Sequence, residues 1–477
     1  MEAARTLVLL GAVLLGAAGA SAREVCLGTD MKLTLPSSLD NHYETLKLLY
    51  TDCQVVHGNL EITHLHGNPD LSFLQGIVEV QGYVLVAHVS VSLLPLDNLR
   101  IIRGSQLYDA SYALAVLDNT LGEQGLRTLR LRSLTEILLG VVYIWGNPQL
   151  CFPDPQSIDW RDTLDEQNDH ARRHRLQPRA SECEQLADNT LKHVQLVPLH
   201  VGKGAGEKRP RTVRPACRHF NDSGVCKENC PPPTIYDPVT FQTKPNPNKK
   251  FNFGATCVKS CPYNYLAMEV ACTLVCPRAN QEVLIAHPDG DEMQKCEKCE
   301  GDCPKMCYGL GMDNLGVMDN HGVTMVTSAN VEQFNKCKKI FGSLAFLPQS
   351  FEGDPVTNTS GLSLEQLSSF KRLEELTGYL YIDAWPEEWS NLSVFENLQV
   401  IRGRMLYKGV FSLAIQNLHV RSLGLRSLRS VSGGLVLVHN NSQLCYTNAL
   451  PWDGLLHPTQ GPHRIVSHNQ GAQLCGG

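Results

Sequence analysis

The sequence predicts a mainly β protein in which two leucine-rich-repeat-like β-solenoids flank a disulfide-rich segment. Three observations carry that expectation. The chain writes one text twice: "NLRIIRG" (98–104) returns as "NLQVIRG" (397–403), "GYVLVA" (82–87) as "GYLYID" (378–383), and the stretch 131–151 as 425–445. The offsets are 299, 296 and 294, and such collinear agreement is an internal duplication. Between the duplicated blocks the cysteines crowd together, with ten from Cys217 to Cys303. Within each copy, short apolar runs such as "LEITHL", "YVLVAHV" and "VVYIWGN" are bounded by Gly, Asn, Asp or Pro, the pattern of short strands. One such rung cannot bury its own apolar face, so the rungs must stack.

The elements follow in chain order. Arg5, an apolar run from Leu7 to about Ala17, and Ala20-Ser21-Ala22 read as a secretory signal peptide over 1–22. A first solenoid is expected over 23–183 and a second over 307–477. "LDNHYETLKLLY" (39–50) is expected to be a helix capping the open end of the first. "TSANVEQFNKC" (327–337) is expected to do the same for the second, with Ser328 or Asn330 as the helix cap. No later stretch reaches 18 apolar residues, so the chain as written is expected to be secreted. Residues 184–216 contain no cysteine, fit neither pattern, and are read as an atypical linker.

The 18 cysteines, even in number and behind a signal peptide, favour disulfides. The duplication places a bridge at each end of each copy: Cys26–Cys53 and Cys151–Cys183 in the first, Cys307–Cys337 and Cys445–Cys475 in the second. Loops of about 30 residues should each contribute roughly 3–4 kcal/mol in the loop-entropy account. In the segment 217–306, poor in apolar periodicity, sequential pairing is the simplest reading: Cys217–Cys226, Cys230–Cys257, Cys261–Cys272, Cys276–Cys296 and Cys299–Cys303. The C-x2-C spacings of "CEKCEGDCPKMC" (296–307) would also suit zinc, but disulfides are preferred and no metal or other cofactor is expected. Thiol titration of the denatured, non-reduced protein should find no free cysteine; two or more would break this scheme. The sequons at Asn221, Asn358, Asn391 and Asn440 are the expected N-glycosylation sites.

Lys plus Arg number 42 against 48 Asp plus Glu, which gives no electrostatic reason to expect nucleic acid as a partner. No P-loop, metalloprotease, nucleophile-elbow or kinase motif occurs. The 17 histidines, His64 and His66 among them, read as surface or rim residues. Glu374-Glu375 and Glu387-Glu388 are adjacent rather than facing, so no catalytic residue is assigned. The stretch that invites a functional reading is the loop between Cys230 and Cys257. It is long, lacks a core of its own, and carries Tyr236, Phe241, Phe251 and Phe253 among prolines such as Pro238 and Pro245. A projecting loop with stiffened aromatics suits an interface hot spot; local packing of the aromatics on the cystines is the competing reading.

Together "VIRG", "GYVLVA", "CRHFNDSGVC", "FNFGATCVKSCPYNYL" and "CEKCEGDCPKMC" resemble the extracellular region of the epidermal growth factor receptor (ErbB) family of receptor tyrosine kinases. The resemblance covers about 24–183 and 217–477. It implies two right-handed receptor L solenoids around a furin-like cystine-rich domain. It also implies that the Cys230–Cys257 loop is a dimerisation arm, with Tyr236, Pro238, Phe241 and Gln242 at its contact positions. The implied partners are other ErbB-type receptor ectodomains and an epidermal-growth-factor-like ligand. The family's small modules ahead of Cys217 are replaced here by 184–216. No kinase sequence is present, so this chain is expected to carry no catalysis of its own, whereas the family's full-length receptors are membrane kinases. An inert or decoy secreted scaffold, or a part of a longer membrane kinase, are the alternatives.

Overall fold

In a computed structural model of the chain, residues 24–121, 124–150, 217–277, 280–286, 292–301, 307–310, 325–353, 360–456 and 464–475 are described. The expected signal peptide and the segment 184–216 lie outside them. So do the expected bridges Cys151–Cys183 and Cys299–Cys303, each through at least one cysteine, and Asn358.

Each copy is built from stacked parallel strands. In the first, one ladder runs Val25–Leu27, Val55–His57, Glu79–Val80, Ile101–Ile102 and Glu136–Ile137. A second runs Leu60–Thr63, Val84–Ala87, Tyr112–Leu117 and Val141–Trp145. The second copy repeats both ladders, with Leu344–Phe346, Leu380–Ile382, Phe411–Gln416, Leu435–His439 and Arg464–Ser467 in the longer one. The strand period of two sets the faces. Leu60, Ile62, Val84, Val86, Leu114 and Val116 point into the first core. Phe346, Ile382, Leu413, Ile415, Val436 and Val438 point into the second, where Phe346 sits 5.7–5.8 Å, ring to ring, from Phe370, Trp385 and Phe395.

The corners between rungs are pegged by asparagines. Asn119 accepts from the Val89 amide at 2.9 Å and donates to the Val86 carbonyl at 3.0 Å; Asn147 repeats the second bond one rung on, to Val116 at 2.8 Å. Asn441 and Asn469 do this in the second copy. These buried amides satisfy backbone groups that a turn would otherwise leave unpaired.

Helix α1 spans Leu39–Tyr50, with the Ser38 hydroxyl accepting from the Asn41 amide as an N-cap. Its inner face buries His42, Leu46, Leu49 and Tyr50. The expected helix over 327–337 is a correction: only a single 3-10 turn, Val331–Phe334, forms there. Asn330 accepts from the Thr327 amide at 2.9 Å and donates to the Met325 carbonyl, so its side chain closes a local turn and caps no helix; Ser328 bonds the Ser360 carbonyl instead. Other short turns, Pro348–Glu352 and Leu364–Phe370, share the work of covering that end.

His42 makes the first copy sensitive to acid. Its Nε2 lies 2.9 Å from the Thr63 carbonyl and its Nδ1 is buried without a partner. Burial, with His64 nearby, therefore pushes the imidazole down to about 4 from its ordinary 6.5. The unfolded chain binds the proton more readily, so this stabilisation is complete above pH 6.5 and is lost as pH falls towards 4. By pH 5 the loss should be about 2 kcal/mol. His42→Gln, which keeps a donor for Thr63, should flatten the pH dependence of protection in α1 measured by hydrogen exchange; an unchanged slope would refute the assignment.

The cystine module is a chain of small antiparallel hairpins joined into one eight-stranded sheet from Val225–Lys227 to Asn280–Ala286. The structure forms Cys217–Cys226, Cys230–Cys257, Cys261–Cys272 and Cys276–Cys296 in it, and Cys26–Cys53, Cys307–Cys337 and Cys445–Cys475 in the flanking copies. Its few buried apolar side chains, chiefly Phe251, Leu266 and the cystines, make it dependent on those bridges.

Candidate functional site: a projecting hairpin and two docked stacks

The duplicated phrase is the place where the module docks. Arg103 of "IIRG" pairs with Glu79 at 2.6 Å and donates to the backbone carbonyls of Cys217 and Arg218. Its counterpart Arg402 pairs with Glu375, and its carbonyl accepts from Asn264 at 2.5 Å. Arg404, almost wholly buried, bonds Glu282, Gln294 at 2.5 Å and the Asn264 carbonyl at 3.2 Å. The glycines of the phrase are required too. Gly104 and Gly403 have φ of +65° and +57°, and a Cβ on either would lie 2.3 or 2.2 Å from a carbonyl of the next rung.

From this docked module the hairpin Thr234–Asp237 with Gln242–Pro245 projects. Asp237 holds its turn: the carboxylate accepts from the Val239 amide and the Thr240 hydroxyl, each at 2.9 Å, and from Lys244. Those donors, Lys244 first, hold its carboxyl down at about 2. Pro238 opens the turn and Phe241 closes it in the left-handed region at φ +55°. At the base Asn246 donates to the Pro232 carbonyl at 2.8 Å. Gln242 is exposed. Tyr236 is 62% exposed and Phe241 77% exposed; Val239 at 83% and Ile235 at 47% join them, two exposed apolar side chains that the aromatic pattern of the loop did not single out.

Phe251 and Phe253, grouped with the arm in the sequence reading, are placed differently. Phe251 is buried under Lys249, and Phe253 stacks on His57 of the first copy at 5.0 Å and meets Tyr265 edge-on at 4.9 Å. They fasten the module at the arm's root, because the strand Phe251–Phe253 belongs to the module's sheet and not to the hairpin.

The two copies also touch directly. The Asp30 amide donates to the Lys408 carbonyl at 2.8 Å, and Asn41 of α1 meets His439 and Ser467. Outward-facing Ala345, Tyr381, Ala414, Leu437 and Ile465 of the second copy share one apolar cluster with the first. Glu61, buried, shapes the loop that reaches across: it accepts from Thr29, from the Met31 and Lys32 amides, and from the Tyr83 hydroxyl. Of the sequons, Asn440 is exposed beside Asn417, while Asn221 and Asn391 are half-buried and accept from the Gly224 and Ser393 amides. Among the described residues no group of three His, Cys, Asp or Glu is placed to hold a metal, and no helix is long and apolar enough to cross a membrane.

Comparison with known proteins agrees with this architecture. The receptor L domain family matches residues 52–164 and 336–456, and the furin-like cysteine rich region matches 200–308, reaching into the segment read as an atypical linker. Receptor tyrosine-protein kinase erbB-2 of Mesocricetus auratus is 47% identical over 96% of this chain and 39% of its own length. The epidermal growth factor receptor of Gallus gallus is 37% identical over 99% of this chain and 70% of that protein. The melanoma receptor tyrosine-protein kinase of Xiphophorus maculatus is 39% identical over 90% of this chain and 39% of its own length. The chain thus spans about two fifths of the length of the receptor kinases at the head of that comparison, and the part it matches is their ectodomain. With two receptor L regions around a furin-like one, and this identity along almost all of its length, the chain belongs to the epidermal growth factor receptor (ErbB) family.

Proposed function

We propose that this chain is the extracellular association part of an ErbB-type receptor tyrosine kinase, acting in growth factor signalling as a co-receptor or heterodimer partner. One observation carries the reading: a folded, cystine-rooted hairpin holds Tyr236, Val239 and Phe241 in water. Folding gains nothing from that arrangement, and grouped exposed apolar side chains mark an interaction surface. The partner is a second ErbB-type ectodomain offering an apolar seat for the hairpin. Kinase activity resides, on this reading, in the receptor of which such a region forms part, as the names of the relatives suggest. The seven described disulfides favour the extracellular space, where Asn440 is the best placed sequon for a glycan.

An epidermal-growth-factor-like ligand between the two L regions is the second reading. The direct contact of α1 and the 29–32 loop with the second copy speaks for the first, because a ligand seated there would have to displace it. Surface plasmon resonance of the whole chain over immobilised ErbB-type ectodomains tests the proposal. Saturable binding is expected without added growth factor; binding to none would favour an inert scaffold, and binding only after a growth factor is added would favour the second reading.

A further inference from the structure

One histidine, His439, is bonded across the contact between the two L regions, and each copy carries a histidine pair. In the first copy the rings of His88 and His64 lie 5.0 Å apart, and His64 lies 6.5 Å from His42. Next to His42 in α1, Asn41 reaches the second copy, where the rings of His439 and His468 are 5.2 Å apart. His439 Nδ1 accepts from the Asn41 amide at 3.1 Å and lies 2.9 Å from the Ser467 hydroxyl, which itself donates to Asn41 Oδ1 at 3.0 Å. The pairs that Asn41 makes are 398 and 426 residues apart in the chain, so these two bonds of the network belong to the contact.

We propose that His439 makes the contact between the two L regions acid-sensitive, so that protonation loosens it and uncovers the outer faces of the sheets it closes. Neutral imidazole fits the network as an acceptor. Imidazolium carries an N–H on both nitrogens; Ser467 Oγ, 2.9 Å away, can accept the Nδ1 proton, but that nitrogen then no longer accepts from Asn41, whose amide N–H is left facing it. Turning that amide over re-pairs the proton but leaves the charge uncompensated. From the neighbouring strands the facing groups are His468 and Ser467 on one side and uncharged Gln416 on the other. From α1 the facing group is Asn41, flanked by Asp40 and by His42, whose ring is turned to Thr63. Asp118 follows His88 on the next rung, at the far end of the row. Among the described residues no carboxylate forms an ion pair with His439 or His468. Burial first, then the neighbouring His468, holds the His439 imidazole below its ordinary value against an opposing bond to the Ser467 backbone, so closure disfavours the proton and the proton disfavours closure.

The device is independent of the arm. Hydrogen exchange of the whole chain, corrected for intrinsic rates, should follow the amides of Arg464–Ser467 from pH 7.5 to 5.0. Protection there should fall about threefold or more as His439 titrates. His439→Gln should abolish that response while leaving the separate response of α1 to His42 in place. Asn41→Asp supplies the missing carboxylate and should invert the sign, so that acid tightens the contact. Unchanged protection in the native chain, or an equal response in His439→Gln, would overturn the proposal.

Discussion

Replacing Tyr236 and Phe241 together by alanine is expected to abolish measurable association with a second ErbB-type ectodomain while leaving the disulfides and the fold intact. Both side chains stand mostly in water on the free hairpin, so truncating them removes little folding energy. On a partner the balance reverses. Large aromatics in a desolvated seat typically lose at least about 2 kcal/mol each when truncated at a hot spot, which is roughly 30-fold in affinity per residue. The turn should survive, because Asp237 draws its donors from Val239, Thr240 and Lys244, none of them altered. The ordering cost is already small: Pro238 and the Asp237 turn pre-form the tip, and a rigid tip loses little freedom on docking. Titration of the native chain and the double variant over the same surface separates the possibilities. Equal binding by both removes the arm from the mechanism. Val239→Ser gives an independent check, because at 83% exposure it can matter only to a partner.

Much of this was legible in the sequence because it rests on local or repeated chemistry. The duplicated blocks spell out the rungs, and the stretch 39–50 was legible as a helix, the Ser38 cap being added by the structure. What the sequence hid was whatever depends on where distant elements meet. "NLRIIRG" and "NLQVIRG" could be recognised as one phrase, but not as two docking points, since Cys217 and Asn264 lie more than a hundred residues from Arg103 and Arg402. Phe251 and Phe253 read as arm aromatics because composition cannot tell a side chain at the root of a hairpin from one at its tip. Asn330 read as a helix cap because the same side chain serves a cap or a local turn. The histidines read as scattered surface residues because His64 meets His88, and His439 meets His468, only once stacked rungs bring together rings more than twenty residues apart in the chain.

Arg404→Ala should be the most damaging single change outside the cores and bridges. The guanidinium is 2% exposed and serves three groups of the cystine module: Glu282, Gln294 and the Asn264 carbonyl. Lys339 also reaches Glu282, at 2.8 Å, and Glu375, at 3.0 Å, while Arg402 pairs with Glu375, so removing Arg404 leaves Lys339 as the one cation on Glu282 and takes the guanidinium donor from Gln294 and the Asn264 carbonyl. Breaking a buried pair by deleting one partner typically costs about 3–5 kcal/mol, most of it the penalty of the charge left behind. The loss should appear as undocking rather than unfolding. Hydrogen-exchange protection of the hairpin Asn280–Ala286 with Glu292–Lys298 should fall, with the second core unchanged. Arg404→Lys should recover only part, because an ammonium cannot span acceptors arranged for a planar fork. The decisive comparison is the double variant Arg404→Met with Glu282→Met. It removes both charges while keeping volume, and it should cost much less than Arg404→Ala alone. If the double variant is as damaging as the single one, the cluster holds the module by shape and not by charge. Weaker arm-mediated association in Arg404→Ala, recovered in the double variant, would tie this docking to the direction in which Tyr236 and Phe241 are presented.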